Sequence, residues 1–347
     1  MKRLTQFTIS IVFIALILRS VLIRFDLHQT LESVLQAPPG QLTLGLGLMM
    51  IAYLFRAARW QIWERSLSYW DSFRVIVIGF MGNNVLPARL GEILRAHCAS
   101  AKTGDDRGRT TVLASIGAER ILDGLILAVF GFVAIGLVPV EPRLQGALLM
   151  VSLVFVGLTS CLILGVRFHT RIRNVMADTN RKFPGKLTAF VQRKANQLLD
   201  GLLPLGTLPR MAGAISATVS IWGIEVFSCF LLGRAVWSQM SVGTAFLFLV
   251  VVNFASLVPL TMGGIGTIEA VAPIFLVSSG VPPHLALAMV ILQHSGQFLF
   301  TTITGGILYL AGGFFRIPLA TPKATAPISP PATASGPVIE EARSSLN

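Results

Sequence analysis

The sequence is divided into long apolar blocks separated by shorter polar stretches, and this pattern limits the possible folds more than any other feature. A bilayer core about 30 Å thick is crossed by roughly 20 residues of α-helix. Blocks of this length occur at residues 4–23, 41–60, 110–138, 144–166, 211–233 and 284–315. We therefore predict an all-α integral membrane protein with about six full transmembrane helices.

The composition agrees with a membrane protein and argues against a nucleic-acid partner. Hydrophobic residues make up 53% of the chain and charged residues only 13%, whereas soluble domains carry about 25% charged residues. The formal net charge is +12, but the basic residues lie between apolar blocks and not along a groove with interleaved aromatic residues. This distribution is typical of membrane topology and not of nucleic-acid binding.

Familiar catalytic and metal-binding motifs are missing from the sequence. It contains no Walker-type phosphate loop, no HExxH and no GxSxG, and its three cysteines form no CxxC pair. These patterns carry the chemistry of many soluble enzymes and zinc sites. We therefore expect no cofactor and no metal site, and we predict that the chain is not an enzyme.

The basic residues also predict the orientation of the chain, because loops rich in Lys and Arg are retained in the cytoplasm during insertion. Arg56, Arg59 and Arg65 close the second block, and further basic residues precede the first and third blocks. The strongest marker is the stretch 167–210, with nine basic residues against two acidic ones. We predict an inner-membrane protein with both termini in the cytoplasm.

Two domains follow from this division. Residues 1–316 form the predicted membrane domain, which includes the basic cytoplasmic loop at 167–210. Residues 317–347 are rich in Pro, Ala, Ser and Thr and have little with which to build a core, so we predict a disordered cytoplasmic tail.

Two further apolar segments, 72–100 and 241–280, are interrupted near their middles by asparagine, proline and glycine. Proline removes a helical hydrogen-bond donor and glycine tolerates non-helical backbone, so each segment reads as a broken, re-entrant hairpin. Such backbone persists at membrane depth only when it is buried in protein or lines a wet cavity. The alternative is two kinked but otherwise ordinary spans, in which case the number of spans rises.

The two interruptions resemble each other. Pro87 precedes Gly91 by four residues, and Pro259 precedes Gly263 by four. An asparagine lies shortly upstream of each proline, namely Asn83 and Asn84 in the first segment and Asn253 in the second. On the charge-based topology the first hairpin enters from the cytoplasm and the second from outside, which is the pattern of inverted repeats. Transporters often place such broken segments around one site at the midplane.

Charged residues lie deep inside the third block, where Glu119 and Asp123 are roughly 14 and 20 Å from its start at 1.5 Å per residue. Intramembrane charges cost at least a few kcal/mol each and usually pair or face a polar cavity. Glu119 and Asp123 share a helix face, and Arg120 is close enough in sequence to bridge to Asp123. A structural salt bridge and a functional site are both compatible with this spacing.

The hairpins add more charge. Arg89, Glu92 and Arg95 are spaced by three residues after the first proline. Guanidinium groups bind phosphate bidentately and a helix N-terminus favours anions, so we expect this region to bind an anionic headgroup. Arg95 can alternatively mark the cytoplasmic boundary. Glu269 follows the second glycine turn and needs a cationic partner, while Gln293, His294 and Gln297 suggest interhelical hydrogen bonds in the last span.

Three ordered runs resemble a known family: NNVLPARLGEILRA at 83–96, GAERILDGL at 117–125 and PLTMGGIGTIEA at 259–270. They are similar to the signature blocks of the lysylphosphatidylglycerol synthase transmembrane, or flippase-like, family, and the resemblance extends to about Phe315. It implies a membrane domain that moves lipids between leaflets, sometimes fused to an aminoacyl transferase domain. No such domain is found in these 347 residues, so we expect no lipid aminoacylation by this chain.

The resemblance implies signature positions at Asn84, Pro87, Gly91, Glu92, Arg95, Glu119, Arg120, Asp123, Gly264, Gly266 and Glu269. The last span departs from the family pattern, because Gln293, His294 and Ser295 stand where members often have an arginine. If that arginine contacts the headgroup, the ligand of this chain differs from theirs.

Our leading hypothesis is a flippase for an anionic lipid or a lipid-linked intermediate. The candidate substrate-binding residues are Asn83, Asn84, Arg89, Glu92, Arg95, Glu119, Arg120, Asp123, Asn253, Gly264, Gly266, Glu269 and His294. One alternative is a membrane-embedded enzyme that modifies lipid headgroups with Glu92 or Asp123 as base. Another is a noncatalytic partner of a lipid-biosynthesis enzyme. The expected partners are therefore membrane lipids and such enzymes, and the oligomeric state does not follow from the sequence.

Overall fold

The structure is a computed structural model that describes residues 19, 23–103, 108–257 and 261–314. Within these residues the regular structure is entirely helical. The α-helices are α1 (Leu27–Leu35), α2 (Pro39–Trp60), α3 (Tyr69–Val85), α4 (Gly91–Thr103), α5 (Gly108–Leu137), α6 (Pro142–Arg167), α7 (His169–Lys182), α8 (Lys186–Leu202), α9 (Leu208–Val236), α10 (Val242–Leu257), α11 (Thr267–Ser278) and α12 (Pro283–Ala311). The predicted all-helical class is confirmed.

In the part of the chain that the structure describes, five helices are long and apolar enough to cross a membrane, namely α2, α5, α6, α9 and α12. They contain 22 to 30 residues, which corresponds to about 33 to 45 Å. Each matches a predicted block with boundaries that differ by a few residues. The sixth predicted span, 4–23, lies almost entirely outside the described residues. The predicted tail at 317–347 and Pro259 lie entirely outside them.

Four of these spans begin with proline at one of their first two positions: Pro39 in α2, Pro142 in α6, Pro209 in α9 and Pro283 in α12. Proline lacks an N–H group, and the first amides of a helix have no partner in the helix in any case. Its fixed φ also suits the first helical turn. The sequence therefore sets where these spans start.

The first broken segment folds as α3, a 3₁₀ turn at Pro87–Arg89, and α4. Leu86 precedes the proline and is extended, with φ −97° and ψ 144°, because the proline ring disfavours the helical region for the residue before it. The two helices then pack closely: a Cβ on Gly91 would lie 2.1 Å from the carbonyl oxygen of Gly79. Only glycine at position 91 permits this approach.

The second broken segment folds as α10, a 3₁₀ turn at Met262–Gly264, and α11. Gly263, Gly264 and Gly266 have positive φ values of 64°, 79° and 81°, a region that side chains other than glycine rarely adopt. The carboxylate of Glu269 accepts a hydrogen bond from the Gly266 amide at 2.7 Å and caps the start of α11. The predicted interruption is confirmed in both segments.

The arms of both hairpins are shorter than the spans. They contain 17 and 13 residues in the first hairpin and 16 and 12 in the second, or about 18 to 26 Å per arm. The first hairpin packs against α2, α5 and α12, and the second packs against α5, α9 and α12. The two 3₁₀ turns contact each other. The two interruptions therefore lie next to each other in the fold.

The basic stretch at 167–210 is helical. It contains α7, which buries none of its residues, and α8, which packs against α5. Its position on the cytoplasmic side stays a prediction.

Candidate functional site

A cavity lies where the two hairpin turns meet. Its volume is about 130 Å³, which is enough to hold several waters. Of the residues predicted from the sequence, eight line it: Asn83, Asn84, Arg89, Glu92, Arg120, Asn253, Gly264 and His294. The other five, Arg95, Glu119, Asp123, Gly266 and Glu269, do not line it.

Arg89 differs from the other cations of the cavity in its contacts. Among the described residues no carboxylate oxygen lies within 4.0 Å of its guanidinium, and Nη2 donates only a long hydrogen bond of 3.4 Å to the Ser256 hydroxyl. Its φ is +55°, which is unusual for a residue other than glycine. Strained backbone of this kind costs of order 1–3 kcal/mol and clusters at functional sites. The turn after Pro87 therefore holds an available guanidinium at the cavity wall.

Arg120 reaches the same cavity from α5. Its Nη2 and Nε lie 2.9 and 3.0 Å from Oε1 of Glu92. Asp123, the partner expected from the sequence, is farther away, with its Oδ2 at 3.7 Å from Nη1. The second oxygen of Glu92 is buried and has no hydrogen-bond partner among the residues that the structure describes. Glu92 thus joins the first hairpin to α5 through one of its two carboxylate oxygens.

Arg56 lines the cavity from α2, although its place at the end of an apolar block predicts only a marker of orientation. Its Nη2 lies 3.2 Å from Oε1 of Glu225, and its Cζ lies 4.9 Å from the ring centroid of Trp222. Tyr53 and Phe80 provide two more rings, each 5.7 Å away. This arrangement explains the otherwise isolated Glu225 of α9, and the three rings hold the guanidinium in place.

A second charge cluster is sealed behind the cavity. Arg59 of α2 contacts Asp123 at 2.5 Å and Glu119 at 2.6 Å. Arg95 of α4 lies 2.8 Å from the other Glu119 oxygen, and its Cζ lies 4.1 Å from the Trp60 ring centroid. The charged side chains of this cluster are all 5% exposed or less. For these residues the structure favours the salt-bridge interpretation.

Arg59 was missed as a site residue because a basic residue at the end of an apolar block is also what topology requires. One signal was available, since Arg56 and Arg59 are three residues apart and share a helix face. Two cations on one face inside an apolar block need anionic partners, and the third block supplies two carboxylates.

The asparagines connect the cavity to its surroundings. Asn84 donates from Nδ2 to the hydroxyls of Thr301 and Thr302, both at 2.9 Å, and so joins α3 to α12. Asn253 donates to the Leu249 carbonyl of its own helix at 2.9 Å. The side-chain oxygen of Asn83 is buried and finds no hydrogen-bond partner in the described ranges of the chain. The cavity therefore contains polar groups as well as cations.

His294 occupies the position at which Glu269 was expected to need a cationic partner. Its Nδ1 lies 2.5 Å from Oε1 of Glu269, and its Nε2 lies 2.9 Å from the Gly263 carbonyl oxygen. The pair joins α11 and α12 to the second hairpin turn. The expected interhelical hydrogen bond in this span also occurs, because Gln297 donates to the Tyr53 hydroxyl at 3.2 Å.

The electrostatic character of the cavity follows from these contacts. Three guanidinium groups, Arg56, Arg89 and Arg120, and one carboxylate, Glu92, line it. Positive charge stays in excess even when Glu225 behind Arg56 is included. In a space enclosed by apolar helices this excess attracts an anion.

Comparison with known proteins identifies the family. The model of the family described as lysylphosphatidylglycerol synthase TM region matches residues 5–305. The chain belongs to this family. Together with the five long apolar helices, membership makes it a multi-pass membrane protein.

Two relatives extend the comparison. A UPF0104 membrane protein of Methanocaldococcus jannaschii is 20% identical over 329 residues, which cover 89% of this chain and 95% of the relative. Glycosyltransferase AglD of Haloferax volcanii is 26% identical over 309 residues, which cover 78% of this chain and 48% of that protein. The chain thus matches about half the length of AglD. No solved structure matches the chain.

Proposed function

We propose that the protein moves an anionic lipid, or a lipid-linked intermediate with an anionic headgroup, between the leaflets of the inner membrane. The observation that carries this proposal is the cation-rich cavity between two broken hairpins, in which Arg89 has no carboxylate partner among the described residues. The headgroup enters the cavity while the acyl or polyprenyl tails stay in lipid.

The physical task of such a protein is to lower the barrier for a charged headgroup. A charge at the bilayer centre costs from about 3 to more than 10 kcal/mol, so unassisted crossing is slow. Arginine forks replace part of the lost hydration because they bind phosphate or carboxylate bidentately. Arg89 and Arg120 line one cavity and are suited to this role.

Family membership supports a lipid as the cargo, because the family is named for lysylphosphatidylglycerol, which is an aminoacylated phospholipid. The Haloferax relative is named a glycosyltransferase, so we include lipids with sugar headgroups in the proposed class of cargo.

A flipping assay in proteoliposomes tests the proposal. The probe is a fluorescent phosphatidylglycerol whose outer-leaflet fraction is quenched by a membrane-impermeant reductant. We expect wild-type protein to speed its exchange over empty liposomes and Arg89→Ala to slow that exchange at least tenfold, because a charge-assisted hydrogen bond contributes about 1.5–3 kcal/mol.

Arg74→Ala is the matched control. Arg74 is an exposed arginine of the same hairpin, lies outside the cavity and pairs with Asp71 at 3.3 Å, so its variant should flip lipid like wild type. Exchange no faster than in empty liposomes contradicts the proposal, as does equal loss in both variants.

A headgroup-modifying enzyme is the second candidate, favoured by Glu92, a carboxylate that lines the cavity. Mass spectrometry of lipids from a deletion strain separates the two. A missing lipid species supports the enzyme, whereas an unchanged inventory with an altered leaflet distribution supports the flippase.

A further inference from the structure

The two hydrogen bonds of the His294 ring determine how many protons His294 and Glu269 hold together. Its Nδ1 faces the Glu269 carboxylate and its Nε2 faces the Gly263 carbonyl oxygen. A carbonyl oxygen only accepts, so Nε2 carries a proton. A second proton lies between Nδ1 and the carboxylate. The pair therefore holds two protons and is neutral overall.

Loss of one proton changes both the bonding and the charge of this pair. The one proton left on the imidazole can serve only one of the two acceptors, and the bond to an ionised carboxylate is the stronger. The Gly263 carbonyl then loses its donor. At the same time the pair acquires one negative charge beside the cavity that His294 lines.

Gly263 is placed so that this change reaches the cavity wall. It has φ +64° and belongs to the turn that contacts the first hairpin turn. A Cβ on Gly263 would lie 2.7 Å from the Phe298 ring and 3.3 Å from the Asn84 backbone, so the turn is packed closely on α12 and α3. Release of its carbonyl loosens the contact between the two hairpins.

We propose that the His294–Glu269 pair is a proton-binding site that couples proton movement to headgroup binding, an inference that rests on the proposed lipid transport. An anionic headgroup in the cavity and a deprotonated, negatively charged pair compete for the same positive charge. Proton and headgroup therefore bind together, and by linkage each raises the affinity for the other. The proton leaves the pair for cavity water when the headgroup leaves.

None of the other charged groups named below is suited to bind and release the proton in place of this pair. Those on the same cavity wall are Arg56 of α2, Arg89 of the first turn, Glu92 of α4 and Arg120 of α5. Arginine does not deprotonate in proteins, and Glu92 is paired with Arg120. On the remaining neighbours, Glu225 of α9 is held by Arg56, and the asparagines of α3 and α10 do not titrate. Near the start of α12 lie three exposed groups, namely Asp26 at the N-cap of α1 and His28 and Glu32 within α1. Histidine is the side chain whose charge changes most readily near neutral pH.

The first experiment measures proton binding without transport. Full-length protein in nanodiscs of zwitterionic phosphatidylcholine is titrated from about pH 5 to about pH 8, and the histidine and carboxylate bands are followed by infrared difference spectroscopy. We expect a titration in wild type that His294→Gln and Glu269→Gln lack. His284→Gln, a change at a second histidine of the same helix, should keep it. Identical titrations of wild type and His294→Gln would overturn the proton site.

The second experiment imposes a pH gradient on the flipping assay. For one proton per lipid, a gradient of about one pH unit should enrich fluorescent phosphatidylglycerol up to tenfold in the leaflet on the alkaline side. His294→Gln should lose this enrichment, whatever its basal rate, and His284→Gln should keep it.

The outcomes separate the two proposals. Rapid wild-type flipping that ignores the gradient refutes the coupling and leaves the proposed function standing. No flipping at all refutes the proposed function and the lipid coupling together, and the titration then decides the proton site alone. Enrichment that survives His294→Gln also refutes the coupling.

Discussion

The two charge clusters of the molecule contain the same residue types and differ in what surrounds them. In the sealed cluster, Arg59 and Arg95 enclose Glu119 and Asp123, whose side chains are 3% and 5% exposed. In the cavity cluster, Arg120 and Glu92 form a pair whose side chains are 36% and 24% exposed. Solvent access, and not residue type, separates a structural ion pair from a candidate binding site.

One helix supplies both clusters. Glu119 and Asp123 are four residues apart on α5 and lie on one face, whereas Arg120 is turned by about 100° from Glu119 and reaches the cavity. Adjacent residues of a single signature run can therefore have different roles. A motif identifies the segment, and the helix face decides which side chains can contact a ligand.

The largest expected effect is on the sealed cluster. Arg59→Leu leaves two buried carboxylates short of a cation, and breaking a buried ion pair by removing one partner costs about 3–5 kcal/mol. We expect the folded yield and the unfolding temperature in detergent to fall sharply.

A companion variant makes that result specific. Adding Asp123→Asn to Arg59→Leu removes the carboxylate that has lost its close cation and leaves Glu119 paired with Arg95. This double variant should recover part of the loss, while Arg74→Leu at the protein surface should behave like wild type. Wild-type stability of the single Arg59→Leu variant would contradict a structural role for this cluster.

A smaller effect is expected at the cavity, and on activity instead of stability. Arg120→Gln removes the partner of Glu92 and one cation from the cavity, so flipping should fall about tenfold, the loss of roughly 1.4 kcal/mol of headgroup stabilisation. Because a partly exposed ion pair contributes only about 0–1 kcal/mol to folding, the unfolding temperature should change little. A large drop in that temperature would remove the distinction between the clusters.

The smallest expected effect is a gain. Arg89→Gly places at φ +55° the residue that adopts this conformation most readily, so the free energy of unfolding should rise by about 1 kcal/mol. Flipping should fall as in Arg89→Ala. A thermal unfolding series on Gly, Ala and Lys variants at position 89 measures the strain, and Lys should retain part of the activity because it keeps the charge. Lower stability of the Gly variant would show that the turn is not strained.

The sequence predicts the fold well and the site in part. Span positions follow from block length, and the hairpins follow from Pro87, Gly91 and the glycines near 263, because these signals act locally. Asn83, Asn84, Arg89, Glu92 and Arg120 were placed at the cavity by the same local reasoning. The roles of Arg56 and Arg59 required contacts between α2 and helices distant in sequence, which a local pattern does not contain.

The sequence predicted that buried charged residues need partners of opposite charge, but it did not identify those partners. Glu269 clearly needed a cation, and His294 was a candidate residue, but their contact joins α11 to α12 through packing. In the same way, Arg120 was expected at Asp123 and lies closer to Glu92. Charge spacing along a helix gives possible partners, and the packing of neighbouring helices selects among them.

The contact between the two 3₁₀ turns also has a consequence for biogenesis. Since the ribosome delivers the N-terminal hairpin first, the turn at Pro87–Arg89 enters the bilayer before its counterpart at Met262–Gly264 has been made. Until the C-terminal half of the chain has been made, Arg89 and the polar residues near it lack their contacts with the second turn. A truncated nascent protein would therefore expose the first turn, including Arg89, to the insertion and quality-control machinery.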